Sequence, residues 1–343
     1  MTQIVFHSTN RLITLGIGLM LMLNSCKSEF NSEKIIPENV ILEESWFNSI
    51  SPNPDIDQVN NLMKKDSSLT QIIVGAILGV SKSSPVDSAV LHYLSDSINL
   101  RLKDSCEKAF SNFDWNKSLG LPLARLKADF PEKSVPAFYT LITGFNYGIF
   151  YFQDQYGLDA IGIGKEMFLG NTALYDHLSI TNPNFSSYIN RTFNTTHLPE
   201  KIITAIVVDI LPDPPSNRLL DYILNEGKKL YLIKKWMPEL ADSTWFETTQ
   251  DQFLWTKNNE LDIWRFLLTD KLIYKNSSKD IANLTQPAPH SMGMPPEAPG
   301  RAINYIGYKI IENYMKSTGA SCKDLALEKD YDKILQSSKY KPR

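Results

Sequence analysis

Histidine is thin in this chain. The five are His7, His92, His177, His197 and His290 among 343 residues, and no two stand four apart. That spacing excludes a helix offering paired imidazoles to one metal ion. Cysteine is scarcer still, at Cys26, Cys106 and Cys322, with no CxxC, so a cysteine-built zinc or redox site is excluded and no cofactor is expected. Basic charge is not in surplus either: 35 Lys and Arg face 38 Asp and Glu, for a formal net charge of −3. Such a chain carries no positive field for nucleic acid, which is therefore not expected as a partner. No GxSxG elbow accompanies Ser291, which follows His290, and the IGIG of 161–164 lacks the third glycine and helix start of a dinucleotide cradle. A second apolar run of membrane length is missing, as are internal repeats and low-complexity tracts.

What the chain does have begins at its amino terminus. Residues 12–23 read LITLGIGLMLML, uncharged and flanked by Arg11. A bilayer-spanning helix needs about 20 apolar residues, whereas the core of an export signal needs about 7–15. The run passes into Leu23-Asn24-Ser25-Cys26, which resembles the lipobox of bacterial lipoproteins. That resemblance implies a signal peptide over 1–25, cleaved ahead of Cys26, with diacylglycerol on the Cys26 sulfur and acylation of the new amino terminus. Each buried CH₂ contributes about 0.8 kcal/mol, so one acyl chain holds a protein marginally and two or more hold it firmly. Residues 26–40, polar and poor in aromatics, read as the lipidated tether, and 41–343 as one globular domain. The expected location is a membrane, with the domain lipid-anchored and facing the periplasm. In that oxidising compartment Cys106 and Cys322 either pair or remain two buried thiols.

Periodicity predicts helices over 56–63, 69–78, 88–110 and 121–129. A β-rich stretch follows, with strands over 135–144, 147–153 and 158–163 punctuated by glycines. Helical spacing returns over 199–210, 217–236, 260–274 and 299–318, the last stopped by Gly319. Between the final two, residues 286–299 hold five prolines and read as an extended surface loop. The expected plan is α+β: a mostly helical single domain around a small central sheet. Trp236, Trp245, Trp255 and Trp264, with Tyr305 and Tyr308, read mainly as core. Any of them left exposed would be the natural partner-binding patch.

Several segments in order resemble one family. They are IGIGKEMFLGNTALYDHL (161–178), INRTFNTTHLPEKIITAIVVDIL (189–211), NEGKKLYLIKKWMPE (225–239), NELDIWRFLLTDKLIY (259–274), APGRAINYIGYKIIENYM (298–315) and SKYKPR (338–343). Together with Cys26 they look like the gliding-motility lipoprotein family GldB. The resemblance implies a membrane lipoprotein of the gliding apparatus, a non-enzymatic part that supports assembly or stability. Its expected partners are membrane lipid, through acylated Cys26, and other gliding or secretion proteins of the envelope.

The segment 199–236 also resembles the helix pair of gluzincin-type zinc peptidases, which implies a degenerate zincin-like core. In those enzymes HExxH lies on the first helix and a further glutamate on the second. Asn225-Glu226-Gly227 matches the second element, while the first helix reads KIITAIVVDI without a histidine. Glu226 is then either a vestigial cleft residue or an ordinary helix glutamate, solvated or paired with Lys229 or Lys201. Arg301, at a helix opening, is expected to hold a buried carboxylate such as Glu226 or Asp209, in preference to an anion-binding role. Asp209, Glu226 and Arg301 are therefore the expected vestigial-cleft residues, with no catalytic residue and no metal ligand among them. The rival readings are a peptidase-like hydrolase that works without zinc, and a lipoprotein that binds a peptide or glycan.

Overall fold

The structure, a computed structural model, describes residues 40, 42–43, 54–65, 67–80, 85–170 and 172–342. Cys26, the leader, the tether up to residue 39 and His7 lie outside the described residues. Val40 is buried, and its N–H donates to Asn116 Oδ1 at 2.9 Å.

The helices α1 (Ile56–Lys65), α2 (Ser67–Ile72), α3 (Val86–Ser95) and α4 (Ser97–Phe110) form the first layer, and α2 continues as a π turn over Ile73–Ile77. The single helix expected over 88–110 is two. Asp96 leaves the helical region and its carboxylate accepts from the N–H groups of Ile98 and Asn99, which starts a new helix. Helix α5 (Trp115–Asp129) begins earlier than its periodicity suggested, because Asp114 caps it by accepting from Lys117 N–H.

The sheet runs β1 (Leu42–Glu43), β2 (Ala137–Leu141), β3 (Ile149–Gln153) and β4 (Asp159–Gly164), in the spatial order β1-β2-β4-β3. β1 with β2 and β2 with β4 are parallel, while β3 closes the edge antiparallel to β4. All three expected strands are present: β2 and β3 are shorter than expected, and β4 has the expected length, shifted by one residue. Residues 143–148 leave the ladder because Glu166 gathers them: its Oε1 accepts from Thr143 N–H, Thr143 Oγ1 and Phe145 N–H.

Short helices α6 (Thr172–Ser179) and α7 (Ser187–Asn190) lead to α8 (Leu198–Ile210), which packs against β3, and to α9 (Leu219–Trp236). Then come α10 (Asp242–Trp245), α11 (Gln250–Asn258), α12 (Glu260–Leu268), α13 (Ser278–Thr285), α14 (Ile303–Thr318), α15 (Cys322–Leu327) and α16 (Tyr331–Ser338). The helix expected over 260–274 stops at Leu268, where Asp270 and Lys271 turn left-handed into a 3₁₀ segment. The one expected over 299–318 starts at Ile303, since Arg301 is also left-handed (φ 65°). Residues 286–299 are folded inward as well as extended: Ser291 is fully buried and its Oγ donates to the Pro299 carbonyl at 2.6 Å.

The two long helices α9 and α14 form the spine. They cross glycine to glycine: a Cβ on Gly227 would sit 2.4 Å from the Gly307 carbonyl carbon, and one on Gly307 would sit 2.0 Å from the Ile223 oxygen. No residue with a side chain fits at that crossing. On one side of the spine the core holds Phe138, Ile161, Ile202, Ile206 and Trp236; on the other it holds Ile263, Ile306, Ile310 and Ile334. A third cluster seats α1–α4 against Leu141 and Ile142. The result is a mostly helical α+β fold around a small mixed sheet. Among the described residues no helix is long and apolar enough to cross a membrane.

Candidate functional site

Helices α8, α9 and α14, together with two turns, surround one small cavity of about 50 Å³, polar on one part of its lining and closed elsewhere by Leu230, Ile233, Trp245 and Phe246. Helix α8 contributes Glu200 and Thr204, α9 contributes Glu226 and Lys229, and the start of α14 contributes Asn304. Glu247 comes from the turn after α10, and Arg301 from the turn before α14.

Glu200 faces inward because α8 is apolar on the same side, where Leu198, Ile202, Ile203 and Ile206 are buried. Its Oε1 accepts from Thr204 Oγ1 at 2.7 Å, one turn on, and its Oε2 has no partner. Burial, reinforced by the negative charge of Glu247, pushes the Glu200 carboxyl up to about 7. Asn304 Oδ1 is likewise buried without a partner.

Glu247 has the opposite fate. Lys201 Nζ reaches its Oε1, and Arg301 Nη2 donates to its Oε2 at 2.9 Å. Burial alone would push its carboxyl up; the two cations overcome this and hold it well below the usual carboxylate range. Arg191 Nη2 donates to its backbone carbonyl at 2.6 Å. Glu247 thus ties three segments together: the loop before α8, α8 itself and the turn into α14. Both Glu247 (φ 53°) and Arg301 (φ 65°) are left-handed, a conformation that costs a non-glycine residue about 1 kcal/mol or more. The ion pair between them holds it in place.

Of the three residues expected in a vestigial cleft, the structure brings two together. Glu226 and Arg301 line the cavity. Asp209 lies at the far end of α8, exposed, with Lys133 Nζ donating to its Oδ2 at 2.7 Å. Arg301 does hold a carboxylate, but it is Glu247 and neither Glu226 nor Asp209. Glu226 pairs with Lys229 one turn along at 2.5 Å, while Lys201 is taken by Glu247.

Two residues that the sequence reading passed over, Glu200 and Thr204, complete the picture on either side of Lys201. Glu200, Lys201 and Thr204 have the i, i+1, i+4 spacing of HExxH, on the helix next to Glu226. The Lys201 ammonium is spent on Glu247. The register was visible in the sequence, since the i, i+4 face of α8 can be counted directly. His197 precedes the same helix without capping it through its side chain; its Nδ1 is 3.0 Å from Asn194 Oδ1, and burial lowers it to about 4, so it is neutral at ordinary pH. Among the described residues no group of three His, Cys, Asp or Glu is arranged to hold a metal ion. Cys106 and Cys322 are separate buried thiols.

Fold and cavity together define a helical α+β protein whose polar cleft is tied across by ion pairs. A family model described as gliding motility protein GldB matches residues 27–342, nearly the whole chain. The chain belongs to that family and has a motility-related role. No curated protein and no solved structure matches it.

Proposed function

We propose that this protein is a lipid-anchored, non-enzymatic support part of the gliding machinery. Acyl chains on Cys26 hold it at a membrane, and its domain stands on the periplasmic side, where it meets other motility or secretion proteins of the envelope. The observation that carries the non-enzymatic reading is the Glu247 junction. Lys201 and Arg301, two cations at the cavity, are committed to holding three segments in register. A group fixed in an ion pair between strained turns contributes to rigidity.

The anchor is tested by separating cells into soluble and membrane fractions. The native protein is expected in the membrane fraction, with an intact mass that includes acyl chains and begins at Cys26. Cys26→Ala protein that folds is expected to leave that fraction unless its leader stays attached, which the same mass reveals. A native mass with a bare thiol at Cys26 ends the reading.

A further inference from the structure

The cavity between α8, α9 and α14 has a one-sided deficit. Glu200 Oε2 and Asn304 Oδ1 come from different segments, both residues line the cavity, and they are 3 % and 4 % exposed. Neither atom has a hydrogen-bond partner, although buried acceptors are almost always paired. A third acceptor, the Glu226 carboxylate, lines the same wall. The neighbouring cations do not relieve the deficit: Lys201 and Arg301 are bound to Glu247, and Lys229 to Glu226. Once the Glu200 carboxyl is ionised, these acceptors are left without a donor.

We propose that this cavity binds the ammonium head of a primary amine, with Glu200 and Asn304 accepting its N–H groups. An ammonium carries three donors and no acceptor, which matches two or three converging oxygens. It is also about the size of a water molecule. A space needs roughly 10–15 Å³ to admit a water, so about 50 Å³ accommodates the head and the start of its alkyl stem but not a whole amino acid. The amine is either free or the tip of a lysine side chain on another protein. The inference goes beyond the support role and does not rest on the lipid anchor.

Binding carries a proton signature. The groups facing the Glu200 carboxyl are Thr204 and Lys201 on its own helix, Glu226 and Lys229 on α9, Glu247 from its turn, and Arg301 and Asn304 from the approach to α14 and its first turn. Burial and Glu247 keep the carboxyl protonated in slightly acid solution, and an incoming ammonium displaces that proton to solvent.

The test is calorimetric titration of the full chain in detergent with butylammonium chloride, a short lysine-containing peptide, sodium chloride and sodium butyrate. Saturable binding by the amine, the peptide or both is expected, and which of them binds identifies the source of the ammonium. Affinity is expected to rise about tenfold between pH 5 and pH 6 and to level off above about pH 7, with a proton released at the lower pH. Glu200→Gln is expected to weaken binding at least tenfold and to flatten the profile. Should that variant fail to fold, the pH profile of the native chain decides. Amines that bind no better than sodium, a flat native profile, or full affinity in folded Glu200→Gln protein each overturn the proposal. Cys26→Ala protein, if soluble and folded, is expected to bind the amine as the native chain does, so failure of the anchor and failure of this site read out separately.

Discussion

Two glutamates, Glu166 fully buried and Glu247 about three-quarters buried, show how the partners of a carboxyl set its charge. Under the sheet, Glu166 is fully buried and its Oε1 accepts from two backbone N–H groups and a hydroxyl, with no cation bonded to it. Burial dominates those three bonds, and its carboxyl is pushed up towards the neutral form. In the cleft, Glu247 meets Lys201 and Arg301 and stays ionised. At Glu166 the neutral donors position the carboxyl without keeping it ionised, whereas at Glu247 two cations at hydrogen-bond distance do. Glu200 lies between the two cases, beside those same cations but bonded to a hydroxyl alone, and it behaves like Glu166.

The comparison breaks hardest at Glu247. Replacing it with alanine strands Lys201 and Arg301 and removes the reason for two left-handed turns. The expected loss is about 3 kcal/mol in urea unfolding at neutral pH. A loss below about 1 kcal/mol would mean that the junction is solvated.

The pH dependence sharpens the contrast next. A carboxyl raised on folding binds its proton more tightly in the folded state. Glu200 therefore contributes stability below its ordinary value near 4.5, and that contribution is lost as pH rises through about 7. For Glu247, held low, stability is present above the ordinary value and is lost as pH falls below it. Glu200→Gln is accordingly expected to be more stable than native protein at pH 8, by up to about 3 kcal/mol, and nearly equal to it at pH 4. Unfolding curves across that range check both limbs.

Glu166→Gln gives the smallest change. Glutamine keeps an acceptor for Thr143 and Phe145, so a loss of about 1 kcal/mol or less is expected at pH 5. Glu166→Ala, which leaves those donors unmet, is expected to lose about 1–3 kcal/mol by the same measurement.

The sequence carried the parts of this structure that depend on spacing. The helix pair, the three main strands and the burial of Trp236 and Trp245 all follow from periodicity, and the Glu226–Lys229 pair follows from their one-turn separation. The break at Asp96 was not read, because the apolar spacing continues across it while the cap acts through a single side chain. What spacing does not carry is the junction itself. Glu247 stands in a non-periodic turn 54 residues from Arg301 and 46 from Lys201, and only the packing of α8 and α14 against α9 brings the three together. Asp209 misled for the same reason: it shares a helix with Glu200, but on another face and at the other end.

The glycine crossing of α9 and α14 has a mechanical consequence. With main chain seated on main chain, neither helix slides along the other by even part of a turn without collision. The pair behaves as a single beam, and a pull applied at one end of either member is felt as displacement at the other, undiminished by slack.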